Sequence, residues 1–460
     1  MKKIKNILLF HAAASLLVLA ACKKDFLEVR PNKSLLVPET TADLRALLDN
    51  NFLFNNTPAL TRISDGDLFA TDVAYNSFSI NDERNAYTWA ADIFGASTTN
   101  EWNMPYQQVF YANVVLETAE KLPATDATSP EGREIKGAAL FNRAFAFYQL
   151  SQEFASPYQA ATASSTMGIP LKISSKLTDK VGRGTLEETY QRMLTDLKQA
   201  RLLLPAETTF KTRPNQAAAY AMLAKVYLAM QDYTNAGLYA DSCLQINSIL
   251  LDYNTLNPAQ SRPFPRPLPH GTTDEVIFYS LAQYYSFMTT GLAVTVDPAL
   301  YDAYEDNDLR KSLFFADLPP GKRFRGNYAG IISQFSGIAT DEVLLIRSEC
   351  SARLGNLTSS LADLNTLLIK RYRAGTYMPR TVATAGDALI LILQERRKEL
   401  TGRGTRWSDL RRLNLEPEHA VRLSRNVLGT VYHLEPNSKR YTLPIPADEL
   451  KLNELPQNER

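Results

Sequence analysis

The sequence predicts a mainly α-helical protein: about four tetratricopeptide-like helix pairs form a scaffold that carries long irregular insertions and a few short strands. Three observations lead to this fold. Paired helical segments recur, small residues stand at equivalent places in two of the pairs, and helical periodicity disappears over two long stretches. Residues 215–230 (NQAAAYAMLAKVYLAM) keep apolar or small residues at helical spacing, with Pro214 placed where a first turn tolerates it. The turn 231–234 breaks the run, and 235–246 resumes it. The same shape returns as DEVLLIRSECSARL, Gly355-Asn356-Leu357 and TSSLADLNTLLIKRY. Gly355 suits a helix C-terminus because it reaches positive φ without steric cost. Aligning the two turns sets Ala224 over Ser348 and Ala236 over Ser360, small residues that let antiparallel helices approach closely.

Two further pairs complete the scaffold. One joins residues 132–150, with Ala138, Ala144 and Ala146, to the amphipathic run 186–204, which ends at Pro205. The other joins DALILILQERRKEL to WSDLRRLN. The pairs therefore lie near 132–204, 214–247, 341–373 and 386–414. They are not contiguous, so the predicted architecture is a helical scaffold with insertions and not a regular solenoid. The insertions fall near 53–100, rich in Asn, Asp, Ser and aromatic residues, and near 252–338. Five prolines between 258 and 269 forbid a long helix there. Residues 275–279 (EVIFY) follow and read as a short strand. Loops of this length usually carry function.

The start of the chain has a different logic. MKKIK supplies a positive flank, residues 8–19 an apolar run, and Ala20-Ala21 small residues before Cys22. The run is shorter than the about 20 apolar residues of a transmembrane span. Leu19-Ala20-Ala21-Cys22 resembles a bacterial lipoprotein box, so residues 1–21 are expected to be a cleaved signal peptide and Cys22 the lipidated first residue. The remainder, 22–460, is expected to be a single domain held on a membrane without crossing it. Removing 1–21 takes away Lys2, Lys3 and Lys5 and no acid, so the formal charge moves from +1 to −2. That balance gives no electrostatic reason to hold nucleic acid. Cys243 and Cys350 sit in apolar helical stretches and read as buried free thiols.

No H-E-x-x-H, G-x-S-x-G, C-x-x-C or Walker loop occurs, and His270, His419 and His433 are far apart. No metal or cofactor is expected. A glycosidase carboxylate pair has no fixed spacing and stays open. The dense charge run 395–414 alternates acids with bases, so Arg396, Arg403 and Arg406 are read as ion-pair partners closing the last helix pair. The loop aromatics point to a ligand: flat rings stack on the C–H face of a sugar while Asn, Asp and Arg meet its hydroxyls. Tyr75, Arg84, Trp89, Trp102 and Asn103 around the first insertion, and Tyr284 and Tyr285 in the second, are the candidate contacts.

Taken in order, several segments resemble the SusD/RagB family of outer-membrane nutrient-binding lipoproteins. These are Cys22-Lys23-Lys24-Asp25-Phe26-Leu27-Glu28 with Pro31; Trp102, Tyr106 and Asn113; Arg143-Ala144-Phe145; RPNQAAAYAMLAKVYLAMQDY; residues 342–356; ERRKEL…RGTRWSDLRRLN; Leu443-Pro444-Ile445-Pro446; and Asn453-Glu454-Leu455-Pro456-Gln457-Asn458. Thr401-Gly402-Arg403-Gly404 and Glu454 depart from the family's commoner residues. Lys23-Lys24-Asp25 is similar to the acid-containing signal that sends such lipoproteins to the cell surface. The resemblance implies a protein without enzymatic activity that captures an oligosaccharide, or a peptide, and delivers it to a SusC-like TonB-dependent transporter. In that picture the repeats face the transporter, the insertions build the ligand site, and the polar stretch 23–38 serves as tether and hinge. Two other functions stay open on the residues alone: an envelope scaffold binding other proteins, and a helical glycoside hydrolase with carboxylates about 5–10 Å apart.

Overall fold

Helices begin where the chain supplies a polar cap ahead of an apolar face. The structure, a computed structural model, describes residues 38–96, 98–265, 273–288, 293–326 and 328–460. The leader 1–21, Cys22, His270 and, Pro38 apart, the tether 23–38 lie outside the described residues. Thr40–Arg460 form one unit. Helix α1 (Thr41–Leu48) opens on a reciprocal Thr40/Asp43 capping box, and α2 (Asn100–Ala119) on Thr99, whose hydroxyl accepts from Glu101 N. Ser129 caps α3 (Pro130–Phe154), with Pro130 in the first turn, where its missing N–H costs nothing. A Thr185/Glu188 capping box starts α4 (Leu186–Leu203). Helix α3 is flanked by α2 and α4, and Ala138, Ala144 and Ala146 are buried there.

The two matched pairs are helix hairpins. Asn215 caps α5 (Gln216–Ala229) and Asp232 caps α6 (Tyr233–Ile246). Pro214 therefore precedes the cap and does not lie within the first turn. Helix α7 (Thr340–Arg353) leads to α8 (Leu357–Leu368), capped by Asn356. The turns correspond residue for residue: Gln231 at φ 61° occupies the left-handed conformation that Gly355 takes at φ 81°. Ala224, Ala236, Ser348 and Ser360 are all fully buried, and Ser348 Oγ donates to Ser360 O at 2.7 Å across the α7–α8 contact. Helix α6 also packs on α7, so the hairpins stack. The thiols of Cys243 and Cys350 are free and buried, and burial pushes both up to about 12.

The fourth expected pair departs from this pattern. Helix α9 (Ala385–Glu399) packs mainly on α7, while the short α10 (Arg406–Leu413) meets the segment Thr61–Ser64. Gly402 and Gly404, both at positive φ, swing the chain away between them. The insertions likewise hold more order than expected: one- and two-turn helices Thr61–Ser64, Asp72–Asn76 and Asn81–Tyr87 interrupt the first.

Strands are short and pair two by two. β1 (Asn56–Thr57) runs parallel to β6 (Leu281–Ala282), and β2 (Leu68–Ala70) antiparallel to β7 (Val294–Val296), so the two insertions are zipped to each other. β3 (Met167–Pro170) pairs β4 (Arg183–Thr185), and β5 (Val276–Phe278), the expected strand, pairs β10 (Ile338–Ala339). Hairpins β8 (Phe315–Leu318)–β9 (Gly321–Phe324) and β11 (Leu423–Val427)–β12 (Thr430–Leu434) complete the set among the described residues. No helix among them is long and apolar enough to cross a membrane.

Buried ion pairs lock the C-terminal helices to the rest. Arg310 binds Asp308, Glu395 and Glu399 at 2.7–2.9 Å. Arg371 binds Glu399 at 2.7 Å and Glu275 at 2.6 Å with its guanidinium 4.0 Å from the Tyr253 ring. Arg396 reaches Asp409 at 2.8 Å and Arg403 reaches Asp341 at 2.9 Å. Arg406 stands 3.8 Å from Asp67. The oxygens of Glu275, Asp341 and Glu399 lie within 4.8 Å of one another, but Arg310, Arg371 and Arg403 already pair with them. Removing one partner of such a set leaves a buried charge alone, at a cost of about 3–5 kcal/mol. Arg371→Met is therefore expected to lower unfolding free energy by about that much in urea denaturation; a change under about 1 kcal/mol would show that the network contributes nothing.

Candidate functional site

Two buried carboxylates assemble the surface most suited to a ligand. Glu101, in the first turn of α2, accepts from Ala59 N (3.1 Å) and Leu60 N (2.8 Å) of the first insertion and from Tyr285 Oη (2.8 Å) of the second. Glu83 accepts from Ser286 Oγ at 2.7 Å and Phe287 N at 2.8 Å. Burial raises the pKa of Glu101, and the Leu60 amide and Tyr285 hydroxyl offset part of that rise. Gln108 on α2 donates to Leu53 O and Asn56 O, and Gln283 N donates to Thr57 O. Both insertions are thereby drawn around the N-terminal turns of one helix.

The result is a groove of ≈ 720 Å³. Phe52, 94% exposed, and Tyr284, 60% exposed, both line it. Between them the lining is largely carboxamide: Asn50, Asn56, Asn100, Asn103, Gln107 and Gln283. Asn56 is oriented by donating to Phe52 O at 2.6 Å. The groove continues on one side into a hollow of ≈ 330 Å³ that shares Asn100, Gln283 and Tyr284 and adds Asp82 and Ser79. On the other side Asn103 and Gln107 lead to a hollow of ≈ 410 Å³ edged by Trp102, Tyr106, Phe110 and Tyr111. Rings offer flat apolar faces, and amides both donate and accept, which is the mixture a polyhydroxylated ring requires.

The sequence-derived candidates divide. Tyr284 and Asn103 are accessible and each lines two of the three hollows. Trp102 borders the third, but it is only 2% exposed and packs against Tyr106 and Phe154. Tyr285 is buried by its bond to Glu101 and acts as a strut. Arg84 donates to Phe78 O and Asn81 Oδ1, fastening a local turn. Tyr75 packs on Phe78 and Tyr87. Trp89, expected as a ligand contact, is a core residue: it is 1% exposed, its indole donates to Ser64 O at 3.0 Å, and Arg425 covers its ring. Phe52 escaped the sequence reading because a phenylalanine followed directly by Leu53 and Phe54 looks like core. The amide pairs on either side of it, Asn50-Asn51 and Asn55-Asn56, were the available signal.

A family model described as SusD-like, "starch-binding associating with outer membrane", matches residues 25–228, and the SusD family model matches residues 340–459. The chain belongs to the SusD family. SusD family proteins bind carbohydrate and associate with the outer membrane. SusD-like protein P2 of Formosa agariphila is 24% identical, over 96% of this chain and 97% of that protein. Among solved structures, a putative sugar binding protein from Bacteroides vulgatus superposes with a TM-score of 0.72 at 18% identity, covering 92% of this chain and 99% of that one. Surface glycan-binding protein A from Bacteroides uniformis superposes with a TM-score of 0.69 at 16% identity, covering 91% and 99%. This SusD-family chain thus shares their fold at low identity.

One group in the site should report its surroundings directly. Burial raises Asp82 to about 6, helped by the nearby Asp92 and Glu83 charges. Because the folded form holds this proton more tightly than the unfolded chain, Asp82 favours folding most below about pH 4, and that contribution is lost as pH rises through about 6. Carboxyl carbon NMR should find its midpoint near pH 6; a midpoint below about 4.5 would place the residue in open solvent.

Proposed function

We propose that this protein captures an oligosaccharide in the groove between Phe52 and Tyr284, without chemical turnover, and passes it to a SusC-like TonB-dependent transporter from a lipid anchor at Cys22 on the outer membrane. The carrying observation is the pair of exposed rings set across a carboxamide-lined groove. Exposed aromatic rings hold apolar surface in water, and a ligand face that covers them removes that surface from solvent. Asn103 and Gln283, fixed on α2 and at the end of β6, supply oriented hydrogen bonds of the kind that distinguish one hydroxyl pattern from another. Carbohydrate binding by the family, and the sugar and glycan named for its structural neighbours, support this ligand class over a peptide. Delivery needs no catalytic group: Glu83 is committed to Ser286 and Phe287, and Glu101 to three donors.

Binding of an oligosaccharide set by calorimetry tests the site. Phe52→Ala and Tyr284→Ala should each weaken affinity about tenfold, the equivalent of about 1.4 kcal/mol per stacked ring, with melting temperature unchanged. Trp89→Phe should do the opposite, lowering stability and sparing affinity. Wild-type affinity in both alanine variants would remove this groove as the ligand site. For the anchor, Cys22→Ser should move the protein from the membrane to the soluble fraction and abolish labelling by radioactive palmitate. Persistent labelling would place the lipid elsewhere.

A further inference from the structure

Behind the groove lies a second, much smaller space. It is a cavity of ≈ 40 Å³ where Thr57 of β1, Arg62, the end of α3 at Glu153, Lys225 of α5 and the turn from Arg403 to Ser408 converge. That volume accepts one to about three water-sized particles and no sugar ring.

Its walls carry hydrogen-bond donors that find no acceptor. Arg62 donates from Nη1 to Gly402 O (2.7 Å) and from Nη2 to Arg403 O (3.1 Å), leaving Nε without a partner. Arg403 gives Nη1 to Asp341 and leaves Nη2 unpaired. The indole N–H of Trp407 and the hydroxyl of Thr57 are unpaired as well. These four residues are between 2% and 6% exposed. A buried unpaired donor costs about 1–3 kcal/mol, so four around one cavity call for an acceptor. Guanidinium and indole nitrogens cannot accept in return. A water would bring protons of its own needing partners, whereas an anion brings none.

Two independent features give the same sign. Helix α10 starts at this cavity, the side chain of its N-cap Thr405 caps none of its N–H groups, and Thr405, Trp407 and Ser408 line the space. The first turn of a helix presents free N–H groups and the positive end of its dipole. The charges also lack balance. Lys225 is paired with Glu342 at 2.9 Å, but Arg62 meets only carbonyl oxygens among the described residues. Burial pushes Arg62 down to about 10, and the nearby Asp65 charge offsets only part of that fall. Glu153, which borders the cavity and leaves Oε2 without a partner, is raised well above the usual carboxyl range by burial and by Glu101 beside it, which favours its neutral form. Gly404 leaves the space open: a Cβ there would stand 2.7 Å from Arg62 Nε.

We propose that this cavity binds a small monovalent anion, of the size of chloride, held by Arg62, Arg403, Trp407 and the N-terminus of α10. The ion ties the first insertion to α3 and to the C-terminal turn, and so steadies the floor on which β1 and the groove rest. The proposal is independent of what the groove binds.

Crystals of the full chain grown without chloride and soaked in sodium bromide should show an anomalous peak within hydrogen-bonding distance of Arg62 Nε and Arg403 Nη2. In parallel, raising sodium chloride from 1 to 200 mM, with ionic strength held constant by sodium gluconate, should raise Tm by about 3 °C. Trp407→Phe and Thr57→Val each delete one donor at nearly constant volume and should at least halve that rise. Ordered waters without anomalous signal, equal Tm in chloride and gluconate, or a full rise in both variants would each overturn the proposal.

Discussion

A charge removed from water must be met by an opposite charge, and that requirement organises the C-terminal half of this protein. Glu275, Asp341, Glu349, Glu395, Glu399 and Asp409 are all buried, and each is held by an arginine. Arg371 alone joins the end of the second hairpin pair, the strand region after the proline-rich stretch and α9. Such networks add little net stability compared with an apolar core, yet they tolerate no loss of a member. Their effect is to dictate where irregular chain attaches. The second insertion has few apolar residues in helical register, and its position is set by these contacts together with its strand pairings and buried rings such as Phe278, Phe314 and Phe335.

The N-terminal half uses the same device with backbone partners. Glu101 and Glu83 gather amide and hydroxyl donors from segments nearly 200 residues apart in sequence. Because Glu101 sits at the start of α2, and Glu83 on the short helix Asn81–Tyr87 before it, the insertions meet over a helix of twenty residues. The groove is therefore a product of tertiary attachment, with little local structure of its own. One wall is the first turns of α2, and the others are two-residue strands and short turns held from behind.

How much of this could be read beforehand follows from the range of the interactions. The α5–α6 and α7–α8 hairpins were legible because their determinants are local: Ala224, Ser348 and Gly355 declare close packing and a left-handed turn within a single window. The arginine run 395–414 was legible as ion pairs, since acids alternate with bases, but Asp341 and Glu349 as partners were not, lying about 60 residues upstream. Loop aromatics were the hardest to place. Trp89 and Tyr284 look alike in sequence, yet a positive-φ turn at Trp89 directs its ring inward to Ser64 and Arg425. Whether a loop ring faces solvent depends on where the loop is fastened, and the fastening residues are distant.

What fastens is separate from what faces outward. Glu101 and Tyr285 form the joint between the two insertions, and both are sealed from solvent. Phe52 and Tyr284 project from its outer side and take almost no part in holding it. Exchange of those tips would alter the surface offered at the groove while the joint, and the fold it closes, stays intact.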